Sequence, residues 1–261
     1  LSGLVCIDLE CMGQHGQYLL VIRNPFWRFC MSSAARLKFE FVTAQGLVQQ
    51  DVEIEQVVIA GWTGRDQAAL QAHIDELAEM GIPGPQEVPM FYRTSAAHLT
   101  TADAIQVIGP DSSGEVEYFV LKIEGELWLG VASEHTDRKA ETVGITLAKQ
   151  LCEKPLGNIL WPYKQVVEHM DELILRSWIH ENGNRVLYQE GTLSEMRPCQ
   201  ELIDRYSDGA GLADNTLMFG GTLAAIGGVR PSLRFDFELE DPVLGRSILH
   251  GYDIEELPIT G

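Results

Sequence analysis

The chain has 261 residues, enough for one substantial core, and carries a formal charge of −19 from 38 Asp and Glu against 19 Lys and Arg. So acidic a surface repels phosphate backbones and anionic membranes, which argues against nucleic-acid and membrane partners. Apolar runs such as Tyr18 to Ile22 and Val57 to Ala60 are too short to span a bilayer, and nothing resembles a cleaved secretory signal, so a soluble, cytoplasmic protein is expected.

Residues 1–30 hold three of the five cysteines (Cys6, Cys11, Cys30, Cys152 and Cys199) and show no sustained period. Met31 then opens a polar lead-in like an ordinary amino terminus, so residues 1–30 are read as a non-native or disordered upstream extension. The cysteine number is odd and Cys-x-x-Cys spacing is missing, which favours reduced structural thiols over a disulfide framework or a zinc knuckle.

Residues 31–84 are expected to form a small N-terminal β and helix region. It begins with the alternating strand Leu37 to Val42, a turn at Gln45-Gly46, a return strand to about Glu55, and the short buried strand Val57 to Ala60. Asp66 is placed to cap a helix from Gln67 to Met80, in which Ala69, Leu70, Ile74, Leu77 and Ala78 recur at helical spacing, and Gly81-Ile-Pro-Gly-Pro85 ends it. On that helix His73 and Glu76 are neighbours at i and i+3. A carboxylate beside an imidazole can make it a general base for water, and such a pair also arises incidentally on surface helices.

A second domain is expected over residues 85–261. Its first strand, Pro89 to Arg93, ends in a guanidinium that can clamp a substrate carboxylate or pair with a surface acid. Val116 to Ile123 and Leu127 to Ala132 read as two strands around a Glu124-Gly125 turn, with carboxylates at either end. Glu115 and Glu117 share a face because strand side chains alternate, and Glu134 emerges where the second strand stops. These acids are either a solvated strand face or three hard oxygen ligands for Mg2+, Mn2+ or Ca2+, with Asp137 as another carboxylate of the same segment.

Helices are expected from Thr142 to Lys149 and from about Ser194 to Tyr206. Glu168 to Ile179 mixes helix and strand signals, Asn182-Gly183 favours a hairpin with Val186 to Gln189 as its return strand, and Asn215 to Phe219 is a buried strand. The glycine-bounded loop Gly220 to Gly228 can turn backbone N–H groups such as that of Gly221, with the Thr222 hydroxyl, toward an anion. It lacks the Gly-Lys-Ser/Thr ending of a nucleotide loop, so a carboxylate is the expected anion, unless the glycines only serve a tight bend. The alternating strand Arg234 to Glu240, a turn at Asp241-Pro242 and Ser247 to Tyr252 close the chain.

Taken in order from about Val57 to Tyr252, these stretches resemble the fumarylacetoacetate hydrolase superfamily. The match runs through Glu115 and Glu117, Ser133-Glu-His-Thr-Asp-Arg138, Lys149, Asn182-Gly183 with Gln189 to Met196, and the glycine loop. The chain is most similar to an uncharacterised bacterial branch of unknown function marked by Ala60-Gly-Trp-Thr-Gly-Arg-Asp66 and Glu238-Leu-Glu-Asp-Pro242. The resemblance implies an α+β fold: a mixed β-sandwich roll with a small β-rich N-terminal part, assembled as a homodimer. It implies Glu115, Glu117 and Glu134 as metal carboxylates, with Glu134 where relatives have Asp. It implies His73 and Glu76 as the water-activating pair and Lys149 as a catalytic cation. Arg93, Arg138, Gly221 and Thr222 then stand as substrate contacts, with Arg93 replacing a family lysine. The implied activity is metal-dependent hydrolysis of a carbon–carbon bond in a small, acylpyruvate-like oxo-acid. Hydratase, decarboxylase or tautomerase chemistry on a 2-oxo acid, and a non-catalytic metal and small-acid binding protein, are the alternatives.

Overall fold

Runs that alternate apolar and polar residues, and runs that are apolar throughout, become the strands of two sheets. The computed structural model describes residues 34–79 and 84–260, with backbone alone for residues 73 and 76–79. The expected upstream extension over residues 1–30 and the expected helix end at 80–83 lie outside the described residues.

In chain order the elements are β1 (Ala35–Thr43), β2 (Gly46–Ile54), β3 (Gln56–Gly61), α1 (Gln67–Glu79), β4 (Met90–Thr94), β5 (Ala104–Ile108), β6 (Val116–Ile123) and β7 (Glu126–Ser133). They continue with α2 (Arg138–Glu141), α3 (Ile145–Leu151), β8 (Ile159–Pro162), β9 (Ile174–Glu181), β10 (Asn184–Thr192), α4 (Cys199–Ser207), β11 (Thr216–Phe219), β12 (Arg234–Asp241) and β13 (Arg246–Leu257). Two-residue strand pairings and short 3-10 turns connect them.

An eight-stranded sheet runs β2-β1-β8-β7-β6-β11-β3-β4, parallel at β1–β8 and β11–β3 and antiparallel elsewhere. A five-stranded sheet runs β10-β9-β12-β13-β5, antiparallel except at β13–β5. The central strand β6 divides its side chains between two cores, as a strand of period two must. Val116, Tyr118 and Val120 face the five-stranded sheet, where Tyr188, Phe235, Phe237, Leu239 and Tyr252 meet them. Phe119 and Leu121 face the other way, into a core with Phe39, Ile54, Ile59, Leu160 and Phe219. That second core draws its strand residues from the large sheet, with Leu99 of a two-residue pairing, and none from the five-stranded sheet, so the large sheet curls around its own concave face while the five-stranded sheet packs on the convex one. Glu117 has the parity of Phe119, and Glu134 that of Ala132, so both carboxylates belong to the concave side at one end of the roll.

Local signals explain most boundaries. Asp66 caps α1, its Oδ1 accepting from the N–H groups of Ala68 and Ala69 at 2.9 and 3.1 Å. Asn182 and Gly183 both take positive φ, 51° and 80°, as a tight hairpin turn requires. The helix expected from Ser194 to Tyr206 is instead a turn at Leu193–Glu195 followed by α4, because Pro198 lacks an N–H and disfavours helical geometry at Arg197. The helix expected from Thr142 to Lys149 starts late, as α3 from Ile145, because Thr142 already caps the end of α2 and extended Gly144 separates the two helices. Among the described residues no helix is long and apolar enough to cross a membrane.

Candidate metal centre

The β6–β7 hairpin pairs Val116 with Ser133 and Glu117 with Ala132, so the residue before β6 meets the residue after β7. The Glu134 N–H donates to the Glu115 carbonyl at 2.9 Å and closes that end. Glu115, Glu117 and Glu134 thereby offer carboxylate oxygens that all lie within 4.8 Å of one another. Glu117 and Glu134 are each 2 % exposed, and Glu115 is partly open.

Each carboxylate is held by a different neighbour. Lys149, buried on α3, donates from Nζ to both oxygens of Glu134 at 2.7 and 2.6 Å, and its ammonium also lies 5.3 Å from the centre of the Tyr92 ring. Arg138 pairs with Glu115 at 3.1 Å and with Glu141 at 3.2 Å, and its Nε donates to the Ser113 hydroxyl at 2.7 Å. The Gly221 N–H, at a φ of 111°, donates to Glu117 Oε2 at 2.8 Å. A side chain at Gly221 would strike Thr63, and one at Gly220 would overlap the Tyr118 ring, so the close approach of this loop needs both glycines.

Burial first, and then the charge of Glu134, push the Glu117 carboxyl well above the usual carboxylate range. Burial would also raise Glu134, but the ammonium of Lys149 and then that of Lys154 outweigh it and hold Glu134 below its ordinary value. For Lys149 burial acts to lower the pKa, and the charges of Glu134 and Glu115 reverse the sign and raise it. A donor set of oxygens alone, crowded enough that one buried carboxyl favours its proton, fits a hard divalent cation such as Mg2+, Mn2+ or Ca2+ in the proton's place.

The structure brings Glu115, Glu117, Glu134, Arg138, Lys149, Gly221 and Thr222 to one end of the roll. The expected anion at the glycine loop is the protein's own Glu117, and Thr222 Oγ1 donates to the Val116 carbonyl at 2.8 Å, so both loop donors are engaged internally rather than free for a substrate. Arg93 is directed elsewhere, since Tyr92 takes the inward position on β4: its Nε donates to the Val57 carbonyl and its Nη1 to the Tyr206 hydroxyl. Asp137 caps α2, accepting from the Ala140 N–H at 2.8 Å, which leaves Glu134 as the carboxylate of that segment in the cluster. The backbones of His73 and Glu76 belong to α1, and their side chains lie outside the described residues.

The sequence alone assigns no role to Glu141, Gln189, Tyr252 and His135, which also support this set. Glu141 follows Arg138 at i+3, a spacing that predicts the pair. Gln189 and Tyr252 reach in from the five-stranded sheet, and nothing in their local sequence signals it. His135, beside Glu134 in sequence, has its ring nitrogens bonded to Tyr252 Oη and Ser112 Oγ at 2.8 and 2.9 Å, and burial pushes its pKa down to about 3.

This architecture is the fold of the fumarylacetoacetate hydrolase family. A yeast protein of that family, ynq8, superposes with a TM-score of 0.56 at 16% identity, over 79% of this chain and 95% of its own. Cg1458 with inhibitor gives a TM-score of 0.60 at 15% identity, over 82% and 81%. A 2-keto-3-deoxy-D-arabinonate dehydratase complexed with magnesium and 2,5-dioxopentanoate gives 0.57 at 13%, over 84% and 79%. Within that fold the chain belongs to the family described as protein of unknown function DUF2848, which it matches over residues 60–252. The sequence matches no curated protein.

Proposed function

We propose that this protein is a metal-dependent enzyme of small oxo-acids, and that its reaction is hydrolysis of a carbon–carbon bond in an acylpyruvate-like substrate. The observation that carries the reading is the convergence of Glu115, Glu117 and Glu134 within 4.8 Å at a largely buried site. These residues would hold Mg2+ or Mn2+, which when bound supplies Lewis acidity toward oxo and carboxylate oxygens. Lys149, fixed on Glu134, keeps a positive charge at the edge of the set, where negative charge developing on the substrate is stabilised. Arg138 holds Glu115 in place through the guanidinium that it shares with Glu141. Removal of a proton from water is assigned, on the sequence resemblance, to His73 oriented by Glu76. A cytoplasmic homodimer belongs to the same reading.

A second reading keeps the site and changes the reaction to hydration or dehydration of a 2-oxo acid. Its support is the structural neighbour that is a dehydratase complexed with magnesium and 2,5-dioxopentanoate. Calorimetry with Mg2+ and Mn2+ on wild type and Glu117→Ala, followed by product analysis on a panel of acylpyruvates and 2-oxo acids, tests both. Metal-dependent release of two fragments supports the hydrolase, and a change of mass by one water supports the hydratase. Absence of metal binding by the wild type defeats both.

A further inference from the structure

One amide of the five-stranded sheet reaches the start of β6, between two of the clustered carboxylates. In the β9–β10 pair Ser177 lies opposite Gln189 and Trp178 opposite Leu187, so Tyr188 is an extra residue and β10 carries a β-bulge there. Regular alternation would send Tyr188 and Gln189 to opposite faces, but the bulge turns both inward, and each is 1 % exposed. Tyr188 joins the apolar core, which leaves a primary amide buried beside it.

Every hydrogen-bonding position of that amide is used. Gln189 Oε1 accepts from the Val116 N–H at 3.0 Å and from the Ser177 hydroxyl at 2.8 Å. Its Nε2 donates to Thr222 Oγ1 at 2.9 Å and to the Leu223 carbonyl at 2.7 Å. The orientation is fixed, because Val116 N–H needs an acceptor and the Leu223 carbonyl needs a donor. Val116 lies between Glu115 and Glu117, and its own carbonyl accepts from Thr222 Oγ1 at 2.8 Å. Gln189, Val116 and Thr222 therefore form a closed circuit that fastens the glycine loop to the start of β6, where the Gly221 N–H meets Glu117 at 2.8 Å.

We propose that Gln189 is a positioning residue for the carboxylate centre: it holds the glycine loop on β6 so that Glu117 stays aimed at Glu115 and Glu134. Its consequence for metal affinity rests on the proposed metal-centre reading, and its effect on the Gly221 contact does not. Hydrogen bonds that support metal ligands change affinity by roughly 10- to 100-fold when removed.

The test measures Mn2+ affinity by calorimetry and amide exchange at Gly221 by NMR, in wild type, Gln189→Ala, Gln189→Glu and Ser177→Ala, below the melting transition of each. Gln189→Glu keeps the acceptor and loses the donors to Thr222 and Leu223. Ser177→Ala removes the partner farthest from the loop and reports what a purely structural defect does. The expected result is at least a roughly tenfold loss of Mn2+ affinity and faster Gly221 exchange in both Gln189 variants, with both properties near wild type in Ser177→Ala. Wild-type affinity and exchange in the Gln189 variants would overturn the proposal, as would equal losses in Ser177→Ala. If the wild type binds no Mn2+, the metal reading fails and Gly221 exchange still decides the role of Gln189. If neither Gln189 variant folds, Thr222→Val cuts the same circuit at a part-buried position, and unchanged Gly221 exchange there would overturn the proposal.

Discussion

Lys149 donates to both carboxylate oxygens of Glu134 from a side chain that is 10 % exposed, against 2 % for Glu134. Removing one member of a buried ion pair leaves the other charge uncompensated, at a cost of about 3–5 kcal/mol. Lys149→Met is therefore expected to lose about 3 kcal/mol of stability in metal-free buffer. Mn2+ should restore much of that loss, since a cation beside Glu134 replaces the missing ammonium. Thermal melts of the variant in EDTA and in Mn2+ check this, and a melting temperature indifferent to Mn2+ would remove Glu134 from the metal set.

Glu117 calls for the opposite expectation. Burial and then Glu134 already favour its neutral form, and its main anchor is the Gly221 N–H, which a Gln oxygen satisfies equally well. Glu117→Gln should melt no lower than wild type in EDTA and should lose the stabilisation by Mn2+ that a ligand of the folded state gives. A Glu117→Gln protein that is clearly less stable than wild type in EDTA would mean that the carboxylate anion is favoured in the fold.

The central hairpin, the alternating strand β12 and the Asn182-Gly183 turn were legible because each is specified by residues close in sequence. The carboxylate set was legible for the same reason: a hairpin returns Glu134 to Glu115 by its own register. What could not be read was whatever depends on the second sheet. The bulge at Tyr188 turns Gln189 inward against simple alternation, and Tyr252 reaches across from β13. Arg93 shows the limit from the other side: its guanidinium is a candidate clamp by sequence, yet Tyr92 takes the inward position on β4 and Arg93 bonds the Val57 carbonyl and the Tyr206 hydroxyl.

Tyr252 has a hydroxyl that bonds Ser133 Oγ at 2.8 Å and His135 Nδ1 at 2.8 Å, the two residues flanking Glu134. Tyr252→Phe preserves the ring packing against Phe235 and Phe237 and leaves those two buried groups short of a partner. A loss of about 1–3 kcal/mol is expected. Mn2+ affinity should fall with it, because Glu134 is then fixed less well. Urea denaturation and calorimetry on the same preparation check both, and a variant as stable as wild type would show that another group satisfies Ser133 and His135.

Lys154 provides a pH test beside the carboxylates. Its side chain is fully buried, and Nζ donates to the His135 carbonyl at 2.6 Å and the Cys152 carbonyl at 3.1 Å. Burial pushes its pKa down to about 8 from the usual 10.5, with the charge of Glu134 acting the other way. Between those values the unfolded chain keeps the proton that the folded chain has released, so this group makes stability rise with pH there. Below pH 8 both states are protonated, and the full penalty of the buried charge is present. Relative to Lys154→Met, the wild-type unfolding free energy should therefore climb by roughly 2–3 kcal/mol between pH 7.5 and about pH 10. Urea melts of both proteins at intervals across that range follow this contribution, because titrating groups that Lys154 does not influence cancel in the difference. Parallel curves would mean that Lys154 holds its proton as tightly in the fold as in the unfolded chain.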